Sequence, residues 1–207
     1  MELSMREYLQ PVIESNHIQQ ERLQIPTITL NAESIKVLMI NEVPPQNPDD
    51  YFYSNTLEPD YMKTTLSLFH NANVPVNNIQ DIIDMGIYIT TAVKSPKDEY
   101  TVSTENILSH LPILEQELKA FPNLSVIMLM GDVAKKAFNL ISKKNTKKNT
   151  IPSGSTYKIR SEAFYYGNIR VFPSYIMTGG NILIEKSKCT MISEDILKMN
   201  EILKSSL

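Results

Sequence analysis

Val37-Leu-Met-Ile-Asn-Glu-Val-Pro-Pro45 is the stretch that decides how this chain is read. Residues Ile35–Ile40 form a short apolar run, the pattern of a strand buried on both faces. The run stops at Asn41-Glu42 and two prolines. Proline has no amide to give a ladder, so Pro44 and Pro45 end the strand and stiffen the loop after it. Asn41 and Glu42 are thereby set at a strand's carboxyl end, the edge at which open α/β sheets bind ligands. Glu42 is then either a site residue or a surface acid beside a turn.

Working outward, apolar strands alternate with amphipathic helices. The pattern predicts strands at Ile87–Thr90, Val126–Met130 and Ile169–Phe172, the last ended by Pro173. Helices are expected at Pro59–Asn71, at Thr104–Phe121 with Ser103 as N-cap, and from Asp132 to about Ile141, Asp132 itself being read as a cap after a sharp turn at Gly131. A lysine-rich loop, Ser142–Gly154, short strand-like pieces around Tyr157 and Phe164, and a C-terminal helix from about Ser193 complete the reading. This order argues for a three-layer α/β/α architecture around a mainly parallel four-stranded sheet. Residues 1–30 read as an N-terminal helical segment that either docks on the domain formed by residues 31–207, the favoured reading, or contacts a partner. Asn41-Glu42, Thr90-Thr91, Gly131-Asp132 and Pro173-Ser174 would then share one rim.

Composition sets bounds on function. The 207 residues suffice for one domain with an ample core, and 42% apolar with 21% charged residues is ordinary for a globular protein. One cysteine, Cys189, excludes an internal disulfide framework. No run is long enough to span a bilayer and no leader is seen, so a reducing cytoplasm is the expected compartment. The net charge of −3 does not mark a nucleic-acid binder. From Lys135 to Arg170, however, nine Lys or Arg face only Glu162, and one basic face is enough to meet phosphate.

Several motifs are missing. The chain has no G-x-G-x-x-G, no Walker-type phosphate loop and no G-x-S-x-G elbow. His17, His70 and His110 lack ligand spacing, so no metal is expected. Tyr51-Phe-Tyr53 is an aromatic triplet in a polar loop, suited to the core or to a base. The run Lys143-Lys-Asn-Thr-Lys-Lys148 reads as a solvated loop or a phosphate contact, and Thr178-Gly-Gly-Asn181 as a turn whose amides could meet phosphate.

Four segments, in order, resemble motifs of the uracil-DNA glycosylase superfamily, closest to its thermostable bacterial and archaeal iron–sulfur branch. Asn41-Glu-Val-Pro-Pro45 stands where that branch has G-E-A-P-G. Tyr88-Ile-Thr-Thr-Ala-Val-Lys-Ser-Pro96 stands for Y-I-T-N-V-V-K-C-R-P, Val126-Ile-Met-Leu-Met-Gly-Asp-Val-Ala134 for V-I-V-A-L-G-x-x-A, and Pro173-Ser-Tyr-Ile-Met177 for P-T-x-H-P. The departures are definite: Thr91 replaces the family asparagine that reads the base edge, and Ile176 replaces the histidine. The cluster cysteines are absent, Cys189 apart, so no cofactor is expected. The resemblance implies a uracil-DNA glycosylase-like fold and release of uracil or another deaminated or damaged base from DNA. It gives Glu42 the catalytic role, Asn41, Val43, Phe52 and Thr91 the base, and Lys94, Lys143, Lys144, Ser174 and Thr178 the DNA backbone. Two alternatives stay open: a catalytically lapsed module binding a nucleobase, nucleotide or protein, and a hydrolase of free nucleosides.

Overall fold

The strands read from the sequence stand side by side in a computed structural model describing residues 2–205. Met1 and residues 206–207, the outer ends of the two expected segments, lie outside the described residues. In chain order the elements are β1 (Glu2–Ser4), α1 (Met5–Ser15), β2 (Thr29–Asn31), β3 (Val37–Asn41), α2 (Asp60–Asn71), α3 (Ile79–Asp84), β4 (Ile87–Thr91), α4 (Thr104–Ala120), β5 (Val126–Met130), α5 (Asp132–Thr146), α6 (Thr156–Ile159), β6 (Phe164–Tyr166), β7 (Ile169–Ser174) and α7 (Lys186–Ser205). Single 3-10 turns lie at Pro48–Asp50 and Gly180–Ile184.

The central sheet has five strands, not four, in the order β4-β3-β5-β7-β6. Four are parallel, and β6 adds antiparallel to β7. Val37, Met39, Ile89, Met128 and Phe172 point to one face, where α2 and α7 cover them. Leu38, Ile40, Tyr88, Leu129 and Val171 point to the other, covered by α1, α4 and α5. The N-terminal segment docks: Met5, Leu9 and Ile13 of α1 belong to that second cluster. Its ends also pair, β1 with β2.

Several boundaries move for physical reasons. The α5 helix runs past Ile141 to Thr146 and stops at Lys147, whose left-handed backbone (φ 65°) caps it. Asp132 is the first residue of that helix, not its cap; Gly131 holds the cap position at φ 112°, a conformation that glycine adopts without strain. Tyr157 lies in α6 instead of a strand. The α7 helix begins seven residues before Ser193, because Cys189, Ile192, Ile196, Met199 and Leu203 fall on one buried face. Ser103 caps α4 as expected, accepting from the Asn106 amide at 3.1 Å.

Pro173 does not end β7, which runs through it to Ser174. The Arg170 amide donates to Ser125 and the Ser174 carbonyl accepts from Gly131, so even-numbered residues of β7 bond to the β5 side. Pro173 therefore turns its missing donor the other way, where β6 has already stopped at Phe164↔Val171.

Candidate functional site

Glu42 follows β3 directly, and its backbone is held by the extension of β4. The Ala92 amide donates to the Asn41 carbonyl at 2.7 Å and the Val93 amide to the Glu42 carbonyl at 3.0 Å. The side chain leans across to the start of α5, where its Oε1 accepts from the Val133 amide at 3.0 Å. Negative charge is favoured there by the helix dipole. Gly131 makes the approach possible: a Cβ at that position would collide with the Glu42 carboxylate. Burial nonetheless moves the Glu42 carboxyl above its ordinary range, helped by the charge of Asp132 and opposed by the Val133 amide and Lys97.

Glu42 borders a cleft of about 610 Å³ at the carboxyl edge of the sheet, shared with Ser174, Thr178, Tyr100, Tyr157 and Ile176. Ser174 is itself buried and donates to Asp195 Oδ2 at 2.7 Å. Arg160 Nη2 binds the other oxygen of Asp195 at 2.8 Å. The expected phosphate contact from Ser174 is thus committed inward. Burial raises the Asp195 carboxyl, while Ser174 and Arg160 oppose the shift.

Asn41 and Thr91 are cross-strand partners on the α2/α7 face, one layer away from the cleft lining. Both are buried. The Asn41 amide donates a long bond to the Thr90 carbonyl, 3.4 Å, but Asn41 Oδ1 and Thr91 Oγ1 have no partner. The Tyr51 hydroxyl comes near Thr91, yet the two miss hydrogen-bond geometry and Tyr51 Oη is also unpartnered. Its phenol is pushed far above its usual range, mainly by burial. Val43 enters through its backbone: its carbonyl accepts from Tyr61 Oη at 3.1 Å. Burial raises the Tyr61 phenol to about 12.

Two expectations are corrected, those for Phe52 and Lys94, and Lys143 and Lys144 are placed on a helix instead of a loop. Phe52 does not offer a free ring; it is 1% exposed and packs edge-on against Tyr61 at 5.3 Å between centroids. Lys94 does not reach solvent, let alone DNA; it is 0% exposed and pairs with Glu117 at 2.6 Å. Lys143 and Lys144 ride the last turn of α5. At 1.5 Å rise per residue that is roughly 16 Å from the cleft end of the helix. Lys144 is paired there with Glu115 at 2.8 Å.

Sequence reasoning missed Tyr61, Tyr100, Tyr157, Arg160 and Asp195. Tyr51 was visible only as part of its aromatic triplet. Arg160 and Asp195 are 35 positions apart, so no local pattern announces them.

Among the described residues no three His, Cys, Asp or Glu converge as metal ligands. Cys189 is buried, its thiol donating to the Ile182 carbonyl at 3.0 Å. The donor set of an iron–sulfur cluster is therefore not assembled. Among the described residues no helix is long and apolar enough to cross a membrane. Comparison with known proteins finds no matching family model and no matching curated protein.

Proposed function

We propose that this chain cleaves an N-glycosidic bond, releasing uracil or another deaminated or damaged base from DNA, on a uracil-DNA glycosylase-like fold. The observation that carries the reading is Glu42: a carboxylate held at a strand's carboxyl end, partly desolvated, on the wall of a cleft. The resemblance of the four ordered segments supports it. In the reaction the C1′–N bond breaks and the base leaves with the electron pair. The sugar gains oxocarbenium character, which the Glu42 carboxylate stabilises. The same carboxylate accepts a proton from the water that attacks C1′, and that proton then neutralises the departed base anion, which restores the carboxylate. The products are the free base and an abasic deoxyribose.

Single-stranded and mismatched DNA containing uracil or hypoxanthine, incubated with excess protein, is expected to yield alkali-labile abasic sites. Glu42→Gln keeps an acceptor for the Val133 amide but loses the charge, and is expected to cut the rate by ~10²-fold or more while the protein stays folded. Equal rates in the two proteins would reject the proposal.

A second reading is a binding module without turnover. What favours it is that the Glu42 contact to Val133 also serves as a plain helix cap. Saturable binding of a nucleobase or nucleoside with no base release would select it.

A further inference from the structure

The mouth of the Glu42 cleft carries two largely exposed tyrosines, one of which, Tyr100, has Lys97 Nζ 5.6 Å over its ring centre. Tyr100, in the loop after β4, is 93% exposed, and Tyr157, in α6, is 72% exposed. Ile176, 42% exposed, continues this rim. The charges at the same rim have the wrong balance for a duplex. Among the described residues that line the cleft, Lys188 is the one base, against Glu42, Asp132 and Glu185. Lys188 pairs with Glu185 at 2.6 Å. Most neighbouring bases are committed too: Lys135 to Asp132 and Thr156, Arg160 to Asp195 and Glu194, and Lys97 to the Tyr100 carbonyl, while Lys158 beside Tyr157 is exposed. Duplex DNA carries one charge per ~1.7 Å of axis and is held by cations free to replace its counterions. An unpaired strand instead offers open base faces, and each base stacked on an aromatic ring strengthens binding by roughly 5- to 150-fold.

We infer that the cleft takes its substrate as an unpaired nucleotide strand, with bases stacked on Tyr100 and Tyr157, and that phosphate contacts contribute little. The inference rests on the glycosidic reading for the class of ligand and adds the strand state and the two residues that select it.

The chain has 10 tyrosines and no tryptophan, so its intrinsic emission reports tyrosine stacking directly. The full chain is titrated with a single-stranded oligothymidylate and with a duplex of equal length, across a range of salt. The expected result is saturable quenching by the single strand, affinity about tenfold or more above the duplex, and a log–log salt slope no steeper than about −2, some three phosphates' worth. Tyr100→Ala with Tyr157→Ala should weaken binding about 25-fold or more, read by anisotropy of a labelled strand. The paired Phe substitutions should restore it, and Tyr165→Ala, an exposed tyrosine outside the cleft lining, should change nothing. Equal or tighter duplex binding, a steep salt slope, no quenching, or an unchanged double Ala variant overturns the inference. Tyrosine-dependent strand binding without base release would remove the catalytic proposal and leave this one standing; base release from duplex as fast as from single strand would do the reverse.

Discussion

The carboxyl end of β4 carries polar groups on both faces of the sheet, and the two faces treat them oppositely. Toward α4, Lys94 Nζ donates to Thr90 Oγ1 and Glu117 Oε2, each at 2.6 Å, and to the Thr91 carbonyl. The other Glu117 oxygen accepts from Tyr88 Oη at 2.9 Å and Thr90 Oγ1 at 2.7 Å. Toward α2 and α7, Asn41 Oδ1, Thr91 Oγ1 and Tyr51 Oη find nothing. A saturated buried network fixes backbone; unpartnered buried atoms are rare and call for a ligand or a water. The first face is a saturated scaffold, and the second keeps unpartnered polar atoms that do not line the Glu42 cleft. One residue joins them, since Lys94 grips the carbonyl of Thr91, whose hydroxyl lies on the other side.

The largest test strikes the scaffold face. Lys94→Met leaves the Glu117 carboxylate buried without its cation and is expected to cost about 3–5 kcal/mol, read from urea unfolding. Adding Glu117→Leu should recover most of that loss. A single-variant cost under about 1 kcal/mol would erase the contrast between the faces.

The unpartnered face should respond in the opposite sense. Thr91→Val removes a buried hydroxyl that has no hydrogen-bond partner in the folded state, so stability is expected to hold or rise by up to ~1 kcal/mol. A loss of stability above about 1 kcal/mol would show that the hydroxyl has a partner in solution.

The smallest effect is in pH dependence. Glu42 has a raised carboxyl in the folded chain. Between the ordinary carboxylate range and that raised position the folded state holds more protons than the unfolded one. Stability from this group is therefore present in acid and lost as pH rises through the window. Glu42→Gln should melt slightly above the parent at neutral pH, with the gap closing in acid; each kcal/mol is worth roughly 2–4 °C. A gap that widens in acid would mean the carboxylate is a net stabilising cap.

Much of the frame was legible because apolar strands capped by turn chemistry leave a local record. Val126–Met130 ends at Gly131, and Ser103 opens α4, each as its residue type dictates. What escaped depends on distant partners. Lys94 looks like a surface lysine until Glu117, 23 positions away, is brought beneath it. Lys143 and Lys144 look like loop until the helix, favoured by its lysines, carries them away from the cleft. The three-residue strands β1 and β2 are too short for periodicity to register, whereas the strand-like piece around Phe164 is β6. Glu42 was legible as a residue at a strand end, but its contact with Val133 was not, because that contact needs the turn at Gly131 to place α5 beside it.

Pro173 bears on how the chain accounts for its buried backbone donors. The last residues of β7 run beyond β6, and Val171, Phe172, Pro173 and Ser174 are all buried there. An amide at position 173 would face away from β5, where β6 offers it no carbonyl. With a pyrrolidine ring in its place, the strand closes without an orphaned donor.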